Sequence, residues 1–391
     1  MAEPEIMSAD PKKRVLFYVQ HLLGIGHLAR ASRIARAMAV KGFDVTMVTG
    51  GMPVAGFPSP EIRHIALPAI STGQSGFSEL VDVTGRPIDD AFKADRRDRL
   101  LVAFRDIRPD IVILEAFPFG RRQVRFELLP LLEEIWRTEP RPLVATSIRD
   151  LLQQRTKPGA NEQTVSCIDK YFDQVLVHGD PAFARLEDSF PLHAAIADKV
   201  VYTGLVAADP PPPSALQFDI VVSAGGGAVG VDLIRASVEA ARRLPDSLSW
   251  CIVTGPNLPQ ADFEELERAQ VANMQLFRFR QDFPGLLTAA TLSISQAGYN
   301  TVCDVLRAGC KALLIPFTAG GETEQTARAV RLAERGRALV LTEAELSADT
   351  MTAAIQQALA APPSAEHSLD LDGANRTADL LAELLARRVA T

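Results

Sequence analysis

The stretch VYTGLVAADPPPPS, residues 201–214, divides this 391-residue chain in two. Each of its four consecutive prolines lacks a backbone N–H and fixes φ, so the run fits neither a helix interior nor a central strand. Residues 206–214 read as a stiff linker. The same pattern runs on either side of it. Upstream, the apolar run 15–19 precedes an amphipathic segment from about 27 to 41. DVTMVTG (44–50), IRHIALP (62–68), DIVILEA (110–116), PLVATSI (142–148) and QVLVHG (174–179) follow as strands, with helices near 91–107 and 123–137. Downstream come DIVVSAG (219–225), a helix over 230–243, LSWCIVTG (248–255), a strand over 274–279, TLSIS (291–295), KALLIPF (311–317) and ALVLT (338–342). The helix between the last two is expected to close at Gly336, a left-handed cap. Short β-branched runs without polar alternation suit strands buried on both faces of a parallel sheet. Two such series predict an α/β protein of two doubly wound domains, 12–205 and 215–365, facing each other across a cleft. The tail 366–391 contains the amphipathic RTADLLAELLARR and is expected to pack back on the body.

Hydrophobic residues make up 47% of the chain and charged ones 23%, which excludes a disordered polypeptide. A net charge of −7 argues against non-specific nucleic-acid binding. The N-terminal half is nevertheless rich in arginine: Arg96, Arg97, Arg99, Arg105, Arg108, Arg121, Arg122 and Arg125. Two readings stand: solvated helix faces with i,i+4 pairing, or contact with an anionic acceptor or a membrane surface. Cys167, Cys251, Cys303 and Cys310 form no C-x-x-C pair or metal-ligand spacing, so reduced, mostly buried thiols are expected. Neither a signal peptide nor an apolar run of spanning length is visible. The expected location is the cytoplasm or the inner face of its membrane.

In open parallel sheets ligands bind beyond the carboxyl ends of strands, which directs attention to four loops. Gly24 and Gly26 precede His27 between the first strand and first helix. The pair lacks the third glycine of a dinucleotide fingerprint, and no acid ends the second strand, so NAD is disfavoured. The helix dipole keeps a histidine at its N-terminus neutral, and a neutral imidazole in a cleft can take a proton. The alternative is a histidine that merely caps its helix. Gly225, Gly226 and Gly227 lie between a strand and a helix and can offer main-chain N–H groups to phosphate oxygens. The Lys-Ser/Thr pair of a P-loop is absent, and the alternative is a simple tight turn. In SQAGYNTVCDVLRAG, Gly298 marks a turn, Asn300 is a candidate N-cap, and Thr301 opens a short helix over 301–307. Asp304 lies one turn inside, where a carboxylate can accept from both hydroxyls of a ribose, or simply favour the helix start. In TAGGETEQTARAV, Glu324 and Gln325 begin a helix at the same rim and can reach sugar hydroxyls. Glu115 and Asp150 follow N-terminal strands, where each could hold an acceptor hydroxyl or amine, or pair with Arg121, Arg122 or Arg149.

Taken together, residues 295–330 resemble the C-terminal signature of the MurG-like GT-B glycosyltransferases. The similarity covers the C-terminal domain and extends to the glycine loop with His27. ILEAFPFGRR (113–122) and TSIRDLL (146–152) resemble an uncharacterised "predicted glycosyltransferase" branch. The resemblance implies two Rossmann-like domains, a nucleoside-diphosphate sugar donor with UDP preferred over dTDP, inversion at the anomeric carbon, and no metal or cofactor. It implies Asp304 on the ribose, Gln325 at the donor sugar beside Glu324, the backbone at Arg280 on the base, Gly225–Gly227 on the diphosphate and His27 as general base. Two departures stand out: the phosphate-loop Ser is Gly or Ala here, and the Arg that often follows the strand before the linker is missing. The acceptor is therefore left open among lipid, glycan and small metabolite. A nucleotide-sugar hydrolase, a 2-epimerase and a non-catalytic nucleotide-sugar-binding subunit remain as rival readings.

Overall fold

The computed structural model describes residues 12–389 apart from 23, 74–75, 155–156, 213, 226–229 and 363–367. Its first half contains β1 (Arg14–Val19), α1 (Gly26–Val40), β2 (Asp44–Thr49), β3 (Arg63–Ala66), a hairpin of β4 (Ser71–Gly73) and β5 (Gly76–Val81), α2 (Asp90–Ile107) and β6 (Ile111–Glu115). It continues with α3 (Arg125–Trp136), β7 (Leu143–Arg149), α4 (Ala160–Tyr171), β8 (Gln174–His178) and β9 (Val200–Tyr202). The second half runs β10 (Ile220–Ser223), α5 (Val231–Ala241), β11 (Trp250–Val253), α6 (Gln260–Ala269), β12 (Met274–Phe277), α7 (Phe283–Ala289) and β13 (Leu292–Ser295). It ends with α8 (Tyr299–Ala308), β14 (Lys311–Leu314), α9 (Glu324–Glu334), β15 (Leu339–Val340), α10 (Ala348–Ala360) and α11 (Gly373–Val389).

The strands form two parallel sheets, in the orders β3-β2-β1-β6-β7-β8-β9 and β12-β11-β10-β13-β14-β15. Strand order reverses between β1 and β6 and again between β10 and β13. At such a switch point the loops leaving neighbouring strands diverge and open a crevice. The loops of Gly24–His27 and Glu115 leave the first switch point, and those of Gly225 and Gly298 leave the second.

Burial explains why the strand runs lack polar alternation. Val15, Phe17 and Val19 face one cluster, whereas Leu16 and Tyr18 face another across the same sheet. In the second sheet, Val221 and Cys251 share the first cluster, and Ile220, Val222 and the fully buried Trp250 form a third with Met351 and Ile355 of α10. Cys251, Cys303 and Cys310 are buried and burial pushes each thiol up to about 12, so all three act as small apolar side chains.

The structure adds elements that the sequence pattern had concealed. The β4–β5 hairpin, β9 and α4 are absent from the sequence reading, as are α6, α7 and α10. Several of these are short, and α6 (QADFEELERA) buries only Leu266, so it offers little apolar periodicity. α8 begins two residues before the expected start: Gly298 is its N-cap and Asn300 lies inside the first turn, freed for another role. α9 ends in a Schellman motif, with Gly336 N–H on Ala333 O and Arg337 N–H on Leu332 O.

Within the arginine cluster, Arg99 fits the solvated i,i+4 expectation, Arg105 is exposed but pairs with a distant residue, and Arg96 fits neither expectation. Arg99 and Arg105 are exposed and pair with Asp95 and Glu134. Arg96 instead is fully buried, bonding Glu127 at 2.6 Å and Gln20 at 2.9 Å. Among the described residues, no helix is long and apolar enough to cross a membrane.

The chain crosses between the domains twice. Val206 forms a bridge with Asp372, Leu205 N–H donates to Asp370 O, and Gly373 N–H donates to Leu205 O. α11 then packs on α1 of the first domain, adding Ala378 and Leu381 to the cluster that holds Ile34 and Met38. A Lys41–Asp379 ion pair of 2.6 Å flanks this contact.

Candidate functional site

The cleft between the switch points holds two adjoining cavities of about 480 and 460 Å³. Gly24, Gly26, His27, Arg30, Arg149 and Glu322 line both. The first cavity reaches into the C-terminal domain, and the second is lined by the N-terminal one apart from Glu322.

The C-terminal cavity is built from strand ends. Ser223 ends β10 and Gly225 follows it, Gly255 follows β11, Arg280 lies in the loop after β12, Gly298 caps α8 and residues 299–301 form its first turn, and Glu322, Glu324 and Gln325 come from the segment after β14. Gly225 takes φ +76, a left-handed conformation that a side chain would resist. Gly226 and Gly227 lie outside the described residues. The first-turn N–H groups of α8 have no intrahelical acceptor and give this wall a partial positive charge. Asn300 donates from Nδ2 to Gly26 O of the opposite domain at 2.9 Å, and its Oδ1 has no hydrogen-bond partner among the described residues. Gly26 permits that approach, since a Cβ there would lie 3.3 Å from Asn300 Nδ2.

Asp304 lies one turn into α8 as expected, but it already has partners. Arg33 of α1 sits 2.9–3.0 Å from its two carboxylate oxygens, and Ala208 N–H donates to it at 3.3 Å. Glu324 lies 2.5 Å from Arg149 as an ion pair, off the line a hydrogen bond needs. Burial raises the Glu324 pKa against the pull of Arg149. Gln325 accepts from Phe317 N–H at 3.2 Å. The Arg280 guanidinium is turned onto Asp282 through contacts of 2.7 and 2.8 Å and stacks on Phe277.

His27 stands where the cavities meet. Its Nδ1 is 2.9 Å from Glu115 Oε1, and Nε2 has no protein partner among the described residues. Glu115 is fully buried at the end of β6, where Arg30 donates to Oε1 and Ser147 Oγ donates to Oε2 at 2.6 Å. Burial alone would raise this carboxyl, but the Arg30 charge and the bonds from His27 and Ser147 outweigh it and hold the pKa at about 2. Burial, and then the charge of Arg121, lower His27 to about 3. The pair is therefore a neutral imidazole oriented by an ionised carboxylate, with the free ring nitrogen directed into the cleft.

Sequence reasoning grouped Asp150 with the acceptor side. The structure commits it elsewhere: Arg328 of α9 grips it with bonds of 2.7 and 3.0 Å, and Arg328 Nη1 also donates to Ala297 O. Both side chains are buried, and Asp150 lines neither cavity. Residues that went unnoticed in the sequence include Arg30, Arg33, Arg328 and Tyr299. The Tyr299 ring packs between the Arg30 and Arg328 guanidinium groups, and its hydroxyl donates to His178 O at 2.8 Å. One available clue was Arg30, one helical turn after His27 on the same face. Among the described residues no cluster of His, Cys, Asp or Glu could hold a metal ion. The Asp370-Leu371-Asp372 triplet, an Asp-x-Asp sequence, pairs with Arg376 and Asn375 at the start of the tail helix and lines neither cavity.

His27 and the buried His178 predict acid lability. His178 is also held at about 3 by burial and the charge of Arg30, and both rings stay neutral in the fold while the unfolded chain protonates near 6.5. The unfolded state then binds more protons, so stability falls as pH drops below 6.5, by about 1.4 kcal/mol per pH unit for each ring. Below 4.5 the Glu115 carboxyl adds a loss of the same sign. Urea midpoints measured at pH 7.5, 6 and 5 check this, and a flat profile would contradict it.

The comparisons agree with this geometry. Residues 220–383 match the glycosyltransferase family 28 C-terminal domain. A UDP-N-acetylglucosamine--N-acetylmuramyl-(pentapeptide) pyrophosphoryl-undecaprenol N-acetylglucosamine transferase of Phenylobacterium zucineum is 25% identical over 381 residues, covering 92% of this chain and 95% of that protein. Its namesake in Caulobacter vibrioides is 26% identical over 357 residues, covering 87% and 89%. Among solved structures, the calicheamicin glycosyltransferase superposes with a TM-score of 0.64 at 17% identity, over 97% of this chain and 100% of that one. MurG of Acinetobacter baumannii superposes at 0.57 and 16%, over 95% and 99%. With its paired parallel sheets, its cleft and its family 28 C-terminal domain over residues 220–383, this chain is a glycosyltransferase of GT-B architecture that resembles the MurG enzymes over most of its length.

Proposed function

We propose that the enzyme binds a nucleoside-diphosphate sugar, with UDP as its nucleotide, in the C-terminal cavity and transfers the sugar with inversion to an acceptor in the N-terminal one. The observation that carries this reading is His27, at the junction of the two cavities with Nδ1 held by Glu115 and Nε2 free. The acceptor hydroxyl gives its proton to His27 Nε2 as its oxygen bonds to the anomeric carbon. The bond from that carbon to the diphosphate breaks, and the diphosphate leaves with the electron pair. Main-chain N–H groups at Gly225–Gly227 and at the start of α8 would meet the charge that develops on it. The imidazolium formed at His27 faces the Glu115 carboxylate. An incoming diphosphate brings negative charge close to His27, which raises its basicity when donor is present.

Asp304 would take the ribose hydroxyls, sharing or exchanging its contact with Arg33, while Glu324 and Gln325 face the sugar and the main chain at Arg280 faces the base. The acceptor cavity is lined by Arg30, Arg121 and Arg149. Arg30 and Arg149 have carboxylate partners. Arg121 has none among the described residues, its Nε lacks a hydrogen bond, and burial beside Arg149 lowers its pKa to about 10. These features favour an acceptor that carries an anionic group, whether lipid, glycan or small metabolite. An acceptor of the lipid class would bring the protein to a membrane surface peripherally.

Thermal-shift screening against UDP-, dTDP- and GDP-sugars tests the donor assignment. A cognate UDP-sugar at 100 times its Kd is expected to stabilise the fold by about 2.7 kcal/mol. A melting temperature indifferent to every sugar nucleotide would sink the proposal. Product analysis without added acceptor separates transfer from hydrolysis or epimerisation, since rapid release of free sugar or epimer would count against transfer.

A further inference from the structure

Behind the His27–Glu115 pair, a file of buried polar groups continues into the N-terminal domain without touching either cavity. Ser147 Oγ lies 2.6 Å from Glu115 Oε2 and 2.8 Å from His178 Nε2. His178 Nδ1 lies 2.8 Å from Thr203 Oγ1. None of these side chains is more than 2% exposed. Glu115, Ser147 and His178 stand on the neighbouring strands β6, β7 and β8, so the file runs along the carboxyl edge of the sheet.

Glu115 sets the direction of every bond in it. An ionised carboxylate only accepts, so Ser147 donates its single O–H to Oε2. The Ser147 oxygen must then accept from His178 Nε2–H, which leaves Nδ1 of that neutral ring to accept from the Thr203 hydroxyl. The opposite sense would set a bare serine oxygen against a carboxylate oxygen, two acceptors in contact in a low-dielectric interior. At the other end, Oε1 can only accept from His27 Nδ1–H. The two histidines must therefore hold opposite tautomers.

We propose that Ser147 and His178 are positioning residues, holding Glu115 in the orientation that keeps the His27 proton on Nδ1 and its Nε2 lone pair open to the cleft. The proposal rests on the reading of His27 as the base. Arg30 pulls on the same Oε1 that His27 uses. Without the Ser147 bond, Oε2 has no partner among the described residues, and the carboxylate is held only through the Oε1 that Arg30 and His27 share. The file is also tied to the donor side, because the hydroxyl that bonds the main-chain oxygen of His178 belongs to Tyr299, in the first turn of α8.

The test reads tautomers directly in full-length protein labelled with 15N-histidine, by two-bond 1H–15N correlation at pH 7.5. In the unmutated protein His27 is expected as the Nδ1–H form and His178 as the Nε2–H form. Finding either ring in the other form overturns the proposal, and this measurement does not depend on any variant folding. In Ser147→Ala the His27 Nδ1 resonance is expected to move downfield toward that of an unprotonated nitrogen as the tautomers mix, and Ser147→Thr, which keeps the hydroxyl, should restore it. An unchanged His27 spectrum in Ser147→Ala overturns the proposal as well. These signals need neither donor nor acceptor. A protein that bound no sugar nucleotide would defeat the functional reading and leave the tautomer result standing.

Discussion

Replacing His27 with alanine is expected to slow sugar transfer by about 10²–10⁴-fold, the usual worth of a positioned general base, while the donor Kd stays unchanged. The two effects separate because His27 meets the donor cavity only at its edge and directs its free nitrogen to the junction with the acceptor cavity. The fold should survive the change. Glu115 keeps Arg30 and Ser147 as partners, so no buried charge is left alone. Calorimetric titration of donor into the variant, alongside a radiolabelled transfer assay, checks both halves of the expectation. If donor binding fell in step with transfer, His27 would be a donor ligand and the base would have to be sought elsewhere.

Asp150→Ala should act on stability. The substitution leaves the Arg328 guanidinium buried without its carboxylate, at a cost of about 3–5 kcal/mol. Replacing the pair together, as Asp150→Leu with Arg328→Met, should recover much of that loss, because apolar groups of similar volume need no compensating charge. Urea unfolding of the single and double variants measures the difference. The result also assigns the role of Asp150: a residue that held the acceptor would lose transfer on conversion to alanine and barely move the unfolding midpoint. Since the pair joins the end of β7 in one domain to α9 of the other, its rupture is expected to loosen the contact between the domains before either sheet melts.

What could be read from the sequence was whatever depends on local backbone. The glycines before α1 and after β10, the turn at Gly298, the strand end carrying Glu115 and the helix start carrying Asp304 could all be located, because strand periodicity and glycine placement mark the carboxyl edge of a parallel sheet. Partners could not be read. Arg33 meets Asp304 across a separation of 271 positions, and Arg328 meets Asp150 across 178. No local pattern couples residues so far apart. Glu115 was singled out as an acceptor-side group, but its bond to His27 depends on β1 and β6 being neighbours in the sheet, a fact of strand order. Ser147 and His178 gave even less signal, since a serine and a histidine inside apolar strands look like ordinary interior polar residues until the carboxylate beside them is known. Asn300 was singled out as a helix cap, yet it reaches across to Gly26, and that role exists only once the two domains face each other.

The double crossing near Val206 and Asp372 limits how such a protein can be recombined. Cutting at the proline run would release a front module whose first helix has lost its cover, and a rear module trailing a helix that fits someone else's surface. Grafting a new acceptor module onto this donor module therefore calls for two splice points, with the final seventeen-residue helix taken from the same parent as the front.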